Sequence, residues 1–348
     1  MGTPSTSARR RCGSDTAAAT IRSRLLRMPT GRLCGIGMRE RRMSNVNIHT
    51  GNCLDILPTM EAGSVNCCVT SPPYFGLRDY GNDEQIGLEE TPEAFVESLV
   101  KVFREVKRVV ADDGTLWLNL GDSYAAGGGG PKPSNIGGSC NKVPASMPRK
   151  ASAGLKPKDL IGIPWRVAFA LQQDGWYLRQ DIIWSKPNPM PESVTDRCTK
   201  AHEYIFLLSK KPKYYYDHKA IKEQLKGKPE SRNKNKEGYQ ADYAKGDRFS
   251  EGERVFGADG LANKRSVWEV TTKPYSGAHF ATFPPDLIKP CILAGCPAGG
   301  TVLDPFGGSG TTGMVALELG RSAELIELNP EYVKIIEART NVTAGFQF

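Results

Sequence analysis

The chain has little that would point to a membrane, to zinc or to a disulfide framework. No apolar run in its 348 residues approaches the roughly 20 needed to span a bilayer, so a soluble protein is expected. Histidine is scarce, with four in all, and the nine cysteines are scattered with no Cys-x-x-Cys pair. An odd, unpatterned set of thiols argues against metal sites and disulfides and for a reducing, cytoplasmic compartment. Net charge is missing too, once its location is considered. The formal +8 is carried by residues 1–42, which hold ten arginines against two acids, and the remainder carries 36 basic and 36 acidic residues. Total charge therefore says nothing about nucleic acid; only its distribution can.

That prefix is rich in Arg, Ser and Ala and has no apolar periodicity. It reads as a disordered tail or an upstream start ahead of Met43, with a targeting peptide as the alternative for such a composition. Beyond it, strands are expected at 45–49, 65–70, 115–120, 177–184, 203–209, 301–304 and 323–328. Helices are expected at 54–60, from the cap Thr91 to 110, and at 164–173, 284–293, 313–319 and from 330. Asp113-Gly114 is expected to turn the long helix into its strand. Strands alternating with helices predict a doubly wound α/β fold whose mostly parallel sheet is covered on both faces. Residues 125–154 are rich in Gly, Pro and Ser and read as a mobile loop. Residues 210–248 carry twelve Lys and Arg against six acids. They read either as a solvated linker or as an insertion lying on a phosphate backbone, with Lys234 and Lys236 as cations and Tyr239, Tyr243 and Phe249 for stacking.

Two short stretches carry the chemistry. The first, Ser71-Pro72-Pro73-Tyr74, follows an apolar strand, which two prolines end in a rigid, extended loop. It holds a hydroxyl, a bare carbonyl and an aromatic face. The second is Gly308-Ser309-Gly310-Thr311-Thr312-Gly313, between a strand and a helix, with Glu327 nineteen residues after Gly308 at the end of the next strand. Close-approach glycines, helix-start N–H groups and a carboxylate for ribose hydroxyls suit a nucleotide-like ligand. Met314 stands where a phosphate-binding lysine would be required, which excludes a P-loop. A nicotinamide-dependent oxidoreductase is the alternative. Asp304 argues against it, because a carboxylate at that strand end would repel a pyrophosphate, whereas it suits the amino and sulfonium groups of S-adenosylmethionine.

Together these residues resemble the amino-group DNA methyltransferases of the β arrangement. "TSPPY" (70–74) resembles their catalytic motif, "DPFGGSGTTG" (304–313) their cofactor loop, "IELNPEY" (326–332) the ribose segment and "HFATFPPDLI" (279–288) the helix over the cofactor's methionine end. The resemblance spans roughly 45–348 and implies a Rossmann-like, seven-stranded sheet with circularly permuted motif order and one antiparallel strand, drawn from 177–184 and 203–209. It divides the chain into the extension 1–42, a catalytic half 43–216, a target-recognition insertion 217–265 and a cofactor-binding half 266–348. It implies S-adenosyl-L-methionine as cofactor, held by Asn52, Cys53, Phe283, Asp304, Phe306, Gly308, Gly310, Thr311, Thr312, Glu327 and Asn329. Asn52 stands where the family often has Asp for the adenine amine, which removes charge assistance.

In that family, Ser71 Oγ and the Pro72 carbonyl would accept the two protons of a flipped-out base amine, and Tyr74 would stack on the base. Serine at the first position implies cytosine N4; adenine N6 is the alternative. A cysteine nucleophile is not expected, since Cys291 and Cys296 lie away from the catalytic loop and read as packing residues. Arg78 beside the loop, and Lys186, Arg197 and Lys200 in a segment resembling one near the target strand, are candidate phosphate contacts or ordinary surface charges. Asp122 is read either as approaching the base or as capping a turn. The expected partners are double-stranded DNA and a cognate restriction endonuclease, for a monomer or homodimer in a bacterial or phage setting. An RNA methyltransferase and a non-catalytic DNA-binding module are the other classes left open.

Overall fold

The computed structural model describes residues 44–77, 82, 84–125, 155–224, 260–272 and 283–341. Arg78, Lys234 and Lys236, the prefix 1–42 and most of the stretches 125–154 and 217–265 lie outside them. No described helix is long and apolar enough to cross a membrane.

The chain builds β1 (Val46–Thr50), α1 (Cys53–Ile56), β2 (Val65–Thr70), α2 (Pro92–Val109) and β3 (Val110–Leu120). Next come α3 (Ile163–Gln173), β4 (Tyr177–Ser185), β5 (His202–Ser209) and two short strands, β6 (Glu223–Gln224) and β7 (Leu261–Ala262). The series closes with β8 (Val267–Glu269), α4 (Pro285–Gly295), β9 (Thr301–Asp304), α5 (Thr311–Glu318), β10 (Ser322–Glu327) and α6 (Pro330–Thr340).

Local chemistry explains most of these elements. In α2, the Thr91 hydroxyl accepts from Ala94 N–H at 3.2 Å and proline sits in the first turn. Its residues Phe95, Leu99, Val102, Phe103, Val106 and Val109 repeat at helical spacing and are all buried. The expected turn at Asp113-Gly114 is absent. The helix passes directly into β3, and pairing with β2 jumps from Val65–Val110 to Cys67–Thr115, so the extra residues form a bulge. The helix expected over 54–60 is only the four residues of α1 followed by a 3-10 turn at Leu57–Thr59.

The main sheet has the order β1-β10-β9-β2-β3-β5-β4-β8. That is eight strands rather than seven, because the edge strand β8 pairs with β4 through three residues, a pairing too short to read from sequence. Only β5 runs against the others, antiparallel to both β3 and β4. Alternate residues face opposite layers. Cys68, Leu116 and Leu118 pack with α1, α2 and α3, and Cys67, Val69 and Trp117 with α4, α5 and α6. The stretches expected as two halves share this one sheet, since β1 pairs with β10, and β2 with β9. In a second, two-stranded sheet, Glu223 pairs with Ala262 and Gln224 with Leu261, which brings the chain before and after 225–259 side by side.

Adjacent strands β9 and β2 matter most. From β9 the chain crosses through α5 to β10 on one side, and from β2 through α2 to β3 on the other. Opposed crossovers leave a crevice beyond the carboxyl ends of the two strands, where open α/β sheets bind ligands. One wall of that crevice starts at α1, whose following turn is tied to α2 by Arg108: its guanidinium donates to the carbonyls of Leu57 at 2.6 Å and Met60 at 2.8 Å. Replacing Arg108 with Ala is expected to leave these carbonyls short of donors and to lower stability by about 1–3 kcal/mol. Urea denaturation measures the loss, and Lys at 108 should recover only part of it.

Candidate active site

A cavity of about 170 Å³ occupies the crevice. The loop after β2 contributes Ser71, Pro72, Pro73 and Tyr74; the loop after β9 contributes Asp304, Phe306, Gly308 and Thr311; the end of β10 contributes Glu327 and Asn329. Asn52, Cys53 and Phe283 also line it. The two motifs, more than 200 residues apart in sequence, therefore share one cleft. Gly310 begins α5 at φ +76°, and a Cβ there would sit 2.9 Å from Ile336 Cγ2, so the turn needs glycine on both counts.

Several residues have partners that the sequence did not reveal. Asp304, expected to face a cationic ligand, is buried and accepts from Thr70 Oγ1 at 2.6 Å, Thr312 Oγ1 at 2.6 Å and the Phe306 N–H at 3.1 Å. Burial raises its pKa to about 6, against the lowering effect of these donors. Glu327 accepts from the Gly308 N–H at 2.7 Å and the Asn329 N–H at 2.8 Å. Burial again dominates and raises it to about 7. Asn52 caps α1, with its side-chain oxygen accepting from Leu54 N–H at 3.0 Å. That oxygen is thus already engaged, where the sequence reading offered it to an adenine amine. Cys53 is a buried thiol pushed up to about 12 by desolvation, and Cys291 and Cys296 are buried packing residues.

Tyr74 departs most from expectation. Its hydroxyl donates to Glu203 Oε2 at 2.6 Å and accepts from Asn119 Nδ2 at 2.9 Å. The same amide nitrogen lies 3.1 Å from Glu203 Oε2 and 3.3 Å from Ser71 Oγ. The ring lies against Gly121, where a Cβ would be 2.5 Å from Cε2. The phenol is thus fixed before any base arrives. Asn119 Oδ1 is buried and finds no donor among the described residues.

The expected phosphate contacts are engaged internally. Lys186 forms an ion pair with Glu203 and lies 4.3 Å from the Trp184 ring centroid. Arg197 donates to Glu192 at 2.7 Å and stacks 4.1 Å from the Tyr124 ring. Lys200 lies 3.8 Å from Asp122. Asp122 itself accepts from the Gly162 and Ile163 N–H groups at the start of α3, which makes it a cap.

Sequence reasoning also missed part of the cleft. Leu77, Asn82, Glu84, Gln85 and Ile86 line it, from a segment where only Arg78 was singled out in the sequence, and Tyr332 joins them from α6. The Gly76 N–H donates to the Gly87 carbonyl at 2.7 Å and draws the ends of this loop together. Two glycines bracketing the segment were the available signal. Apolar side chains (Ile86, Phe283, Phe306) together with carboxylates (Glu84, Asp304, Glu327) fit a ligand with a flat ring, vicinal hydroxyls and a cationic end. Among the described residues no group of three or more His, Cys, Asp or Glu could hold a metal.

The raised carboxyls have a consequence for stability. The folded chain keeps protons on Asp304 and Glu327 at pH values where the unfolded chain, near 3.8 and 4.5, has lost them. The cost of ionising them is fully present above about pH 7 and is relieved as pH falls towards 4.5. Without ligand, urea denaturation should therefore find the protein more stable at pH 5.5 than at pH 8, by about 1–3 kcal/mol, with the gain smaller in E327Q.

Comparison with known proteins agrees with this geometry. A family model described as DNA methylase matches residues 65–338. The type II methyltransferase M.Cfr9I of Citrobacter freundii is 49% identical over 296 residues, covering 84% of this chain and 87% of that protein. M.SmaI of Serratia marcescens is 48% identical over 301 residues, covering 86% and 92%. Among solved structures, PvuII DNA methyltransferase (cytosine-N4-specific) is similar with a TM-score of 0.57 and 19% identity, covering 86% of this chain and 89% of that one. A putative DNA modification methylase from Thermus thermophilus, complexed with S-adenosyl-L-methionine, has a TM-score of 0.51 and 22% identity, covering 85% and 94%. At such identities the likeness is one of fold.

Proposed function

The chain belongs to the DNA methylase family, and on that premise we propose that it moves a methyl group from S-adenosyl-L-methionine to the exocyclic N4 of cytosine in double-stranded DNA. The observation that carries this reading is the meeting of Ser71-Pro72-Pro73-Tyr74 with the glycine loop in a single cleft. The two type II relatives support a site-specific enzyme working beside a cognate restriction endonuclease.

An exocyclic amine is a weak nucleophile because its lone pair is delocalised into the ring. Ser71 Oγ and the Pro72 carbonyl accept its two protons, which favours a pyramidal nitrogen with the pair directed outward. Pro72 and Pro73 hold these acceptors in place beforehand, so orientation and electrostatics supply the rate. The bound cofactor supplies a methyl group on positively charged sulfur. Glu327 would hold the ribose hydroxyls, Asn52, Cys53, Phe283, Phe306 and Asn329 would line the rest of the cofactor's site, and the loop of Gly308, Gly310, Thr311 and Thr312 shapes the turn beneath. Asp304 acts from behind that loop, through Thr312 and Phe306. The target base reaches Ser71 by leaving the stack. Arg197 and Lys200 join the DNA contact by exchanging Glu192 and Asp122 for phosphate, and Lys186 stays with Glu203.

Ser71 is what favours cytosine N4 over adenine N6. The test incubates the protein with tritiated S-adenosylmethionine and unmethylated bacterial DNA, then identifies the labelled nucleoside by mass spectrometry. N4-methylcytosine is expected; N6-methyladenine would keep the class and overturn the base, and unlabelled DNA would overturn the reading. S71A should lower single-turnover transfer by about 10²–10³-fold and leave cofactor affinity, measured by calorimetry, within about twofold.

A further inference from the structure

Ser71 can accept an amine proton only if its hydroxyl is held with a lone pair free for the target, and the polar groups around it fix its position. A hydroxyl has one proton and two lone pairs. Asn119 Nδ2 donates to Ser71 Oγ at 3.3 Å and to the Tyr74 phenol oxygen at 2.9 Å, and it lies 3.1 Å from Glu203 Oε2. The phenol in turn donates to Glu203 Oε2 at 2.6 Å. Glu203 Oε1 is held by Lys186, and both side chains are mostly withdrawn from solvent, at 14% and 19% exposure. Glu203 therefore holds both the Tyr74 proton and the Asn119 amide that contacts Ser71.

We propose that Glu203, on β5, is the positioning residue of the reaction: by holding the Tyr74 hydroxyl and the Asn119 amide, it sets the Asn119 N–H against one side of Ser71 Oγ and so fixes the hydroxyl that receives the base amine. This rests on the reading of Ser71 as the acceptor. It also gives Tyr74 a task beyond stacking.

The geometry explains a local demand of the sequence. Tyr74 can reach Glu203 only because residue 121 is glycine, since any Cβ there would meet the ring. Asn119 lies on β3 with Gly121 just beyond its end, Lys186 directly follows β4, and Glu203 lies on β5, so three strands converge on one hydroxyl.

The test compares wild type, E203Q and Y74F in single-turnover transfer from S-adenosylmethionine to unmethylated genomic DNA, with dissociation constants for both ligands measured separately. E203Q and Y74F are expected to transfer about tenfold to hundredfold more slowly, with both constants within about twofold of wild type. A merely structural role would weaken binding together with rate, and pure stacking would leave Y74F at full speed; either result overturns the proposal. A second readout is independent of turnover. Burial first, then the Glu203 charge and hydrogen bond, hold the Tyr74 phenol well above its ordinary range. The groups facing it are Glu203 and Lys186 from the sheet, with Asn119 and Ser71 beside it. Carbon NMR of labelled tyrosine, with Tyr74 assigned through Y74F, should find the phenol ionising at lower pH in E203Q. An unchanged titration overturns the coupling. Wild type that leaves DNA unmethylated would overturn the DNA reading, and the titration would still decide the coupling.

Discussion

The Asp304 carboxylate, at the end of β9, is buried and has three donors of its own. Thr70 is the last residue of β2, immediately before Ser71; Thr312 lies in the first turn of α5; the Phe306 N–H belongs to the loop between. The three bonds fix the catalytic loop, the cofactor loop and the helix that follows it around a single group. Bonds of this kind, made to a charged acceptor, are among the stronger ones a protein can form, and removing one partner would leave a buried charge short of donors. Positioning of Ser71 against the glycine turn therefore depends on a residue that need not itself touch the reacting atoms.

The sheet determines why this clasp can exist. Strands β2 and β9 are neighbours although the chain between them contains most of the protein. Their crossovers leave in opposite directions, which opens the gap beyond their carboxyl ends to the two loops. On one side of the gap the glycine turn and Glu327 offer backbone N–H groups and a carboxylate. On the other, the prolines present fixed acceptors. Behind these, Tyr74, Asn119, Glu203 and Lys186 form a polar row whose members come from separate strands and the loops that follow them. The two sets of bonds meet at residues 70–74, which face Asp304 at one end and Glu203 at the other.

Charge follows the same logic. The cations expected on phosphate are paired with Glu203, Glu192 and Asp122, so the described surface near the cleft is neutralised locally. Each pair lies within the 184–208 segment or between it and the turn after β3. A cation paired in this way orders its own neighbourhood, and DNA gains it only where phosphate replaces the carboxylate.

Much of the fold was legible in the residues themselves. The apolar spacing and cap of α2, the alternation of strands with helices and the glycine turn with Glu327 are local patterns, and these elements formed within a few residues of their expected places. Ser71 and its prolines were legible for the same reason, because backbone restriction acts between neighbours. The failures were also physical. The bulge after Val110 depends on how β3 registers against β2, and β8 depends on β4 having an open edge. Asn119, Glu203 and the roles of Asp304 and Tyr74 depend on contacts between distant residues, 45 positions apart for Tyr74 with Asn119 and 234 for Thr70 with Asp304. By itself the sequence determined the family, the element types and the two loops. The tertiary structure alone decided which hydroxyl points at which carboxylate, because hydrogen-bond direction is a property of neighbours in space.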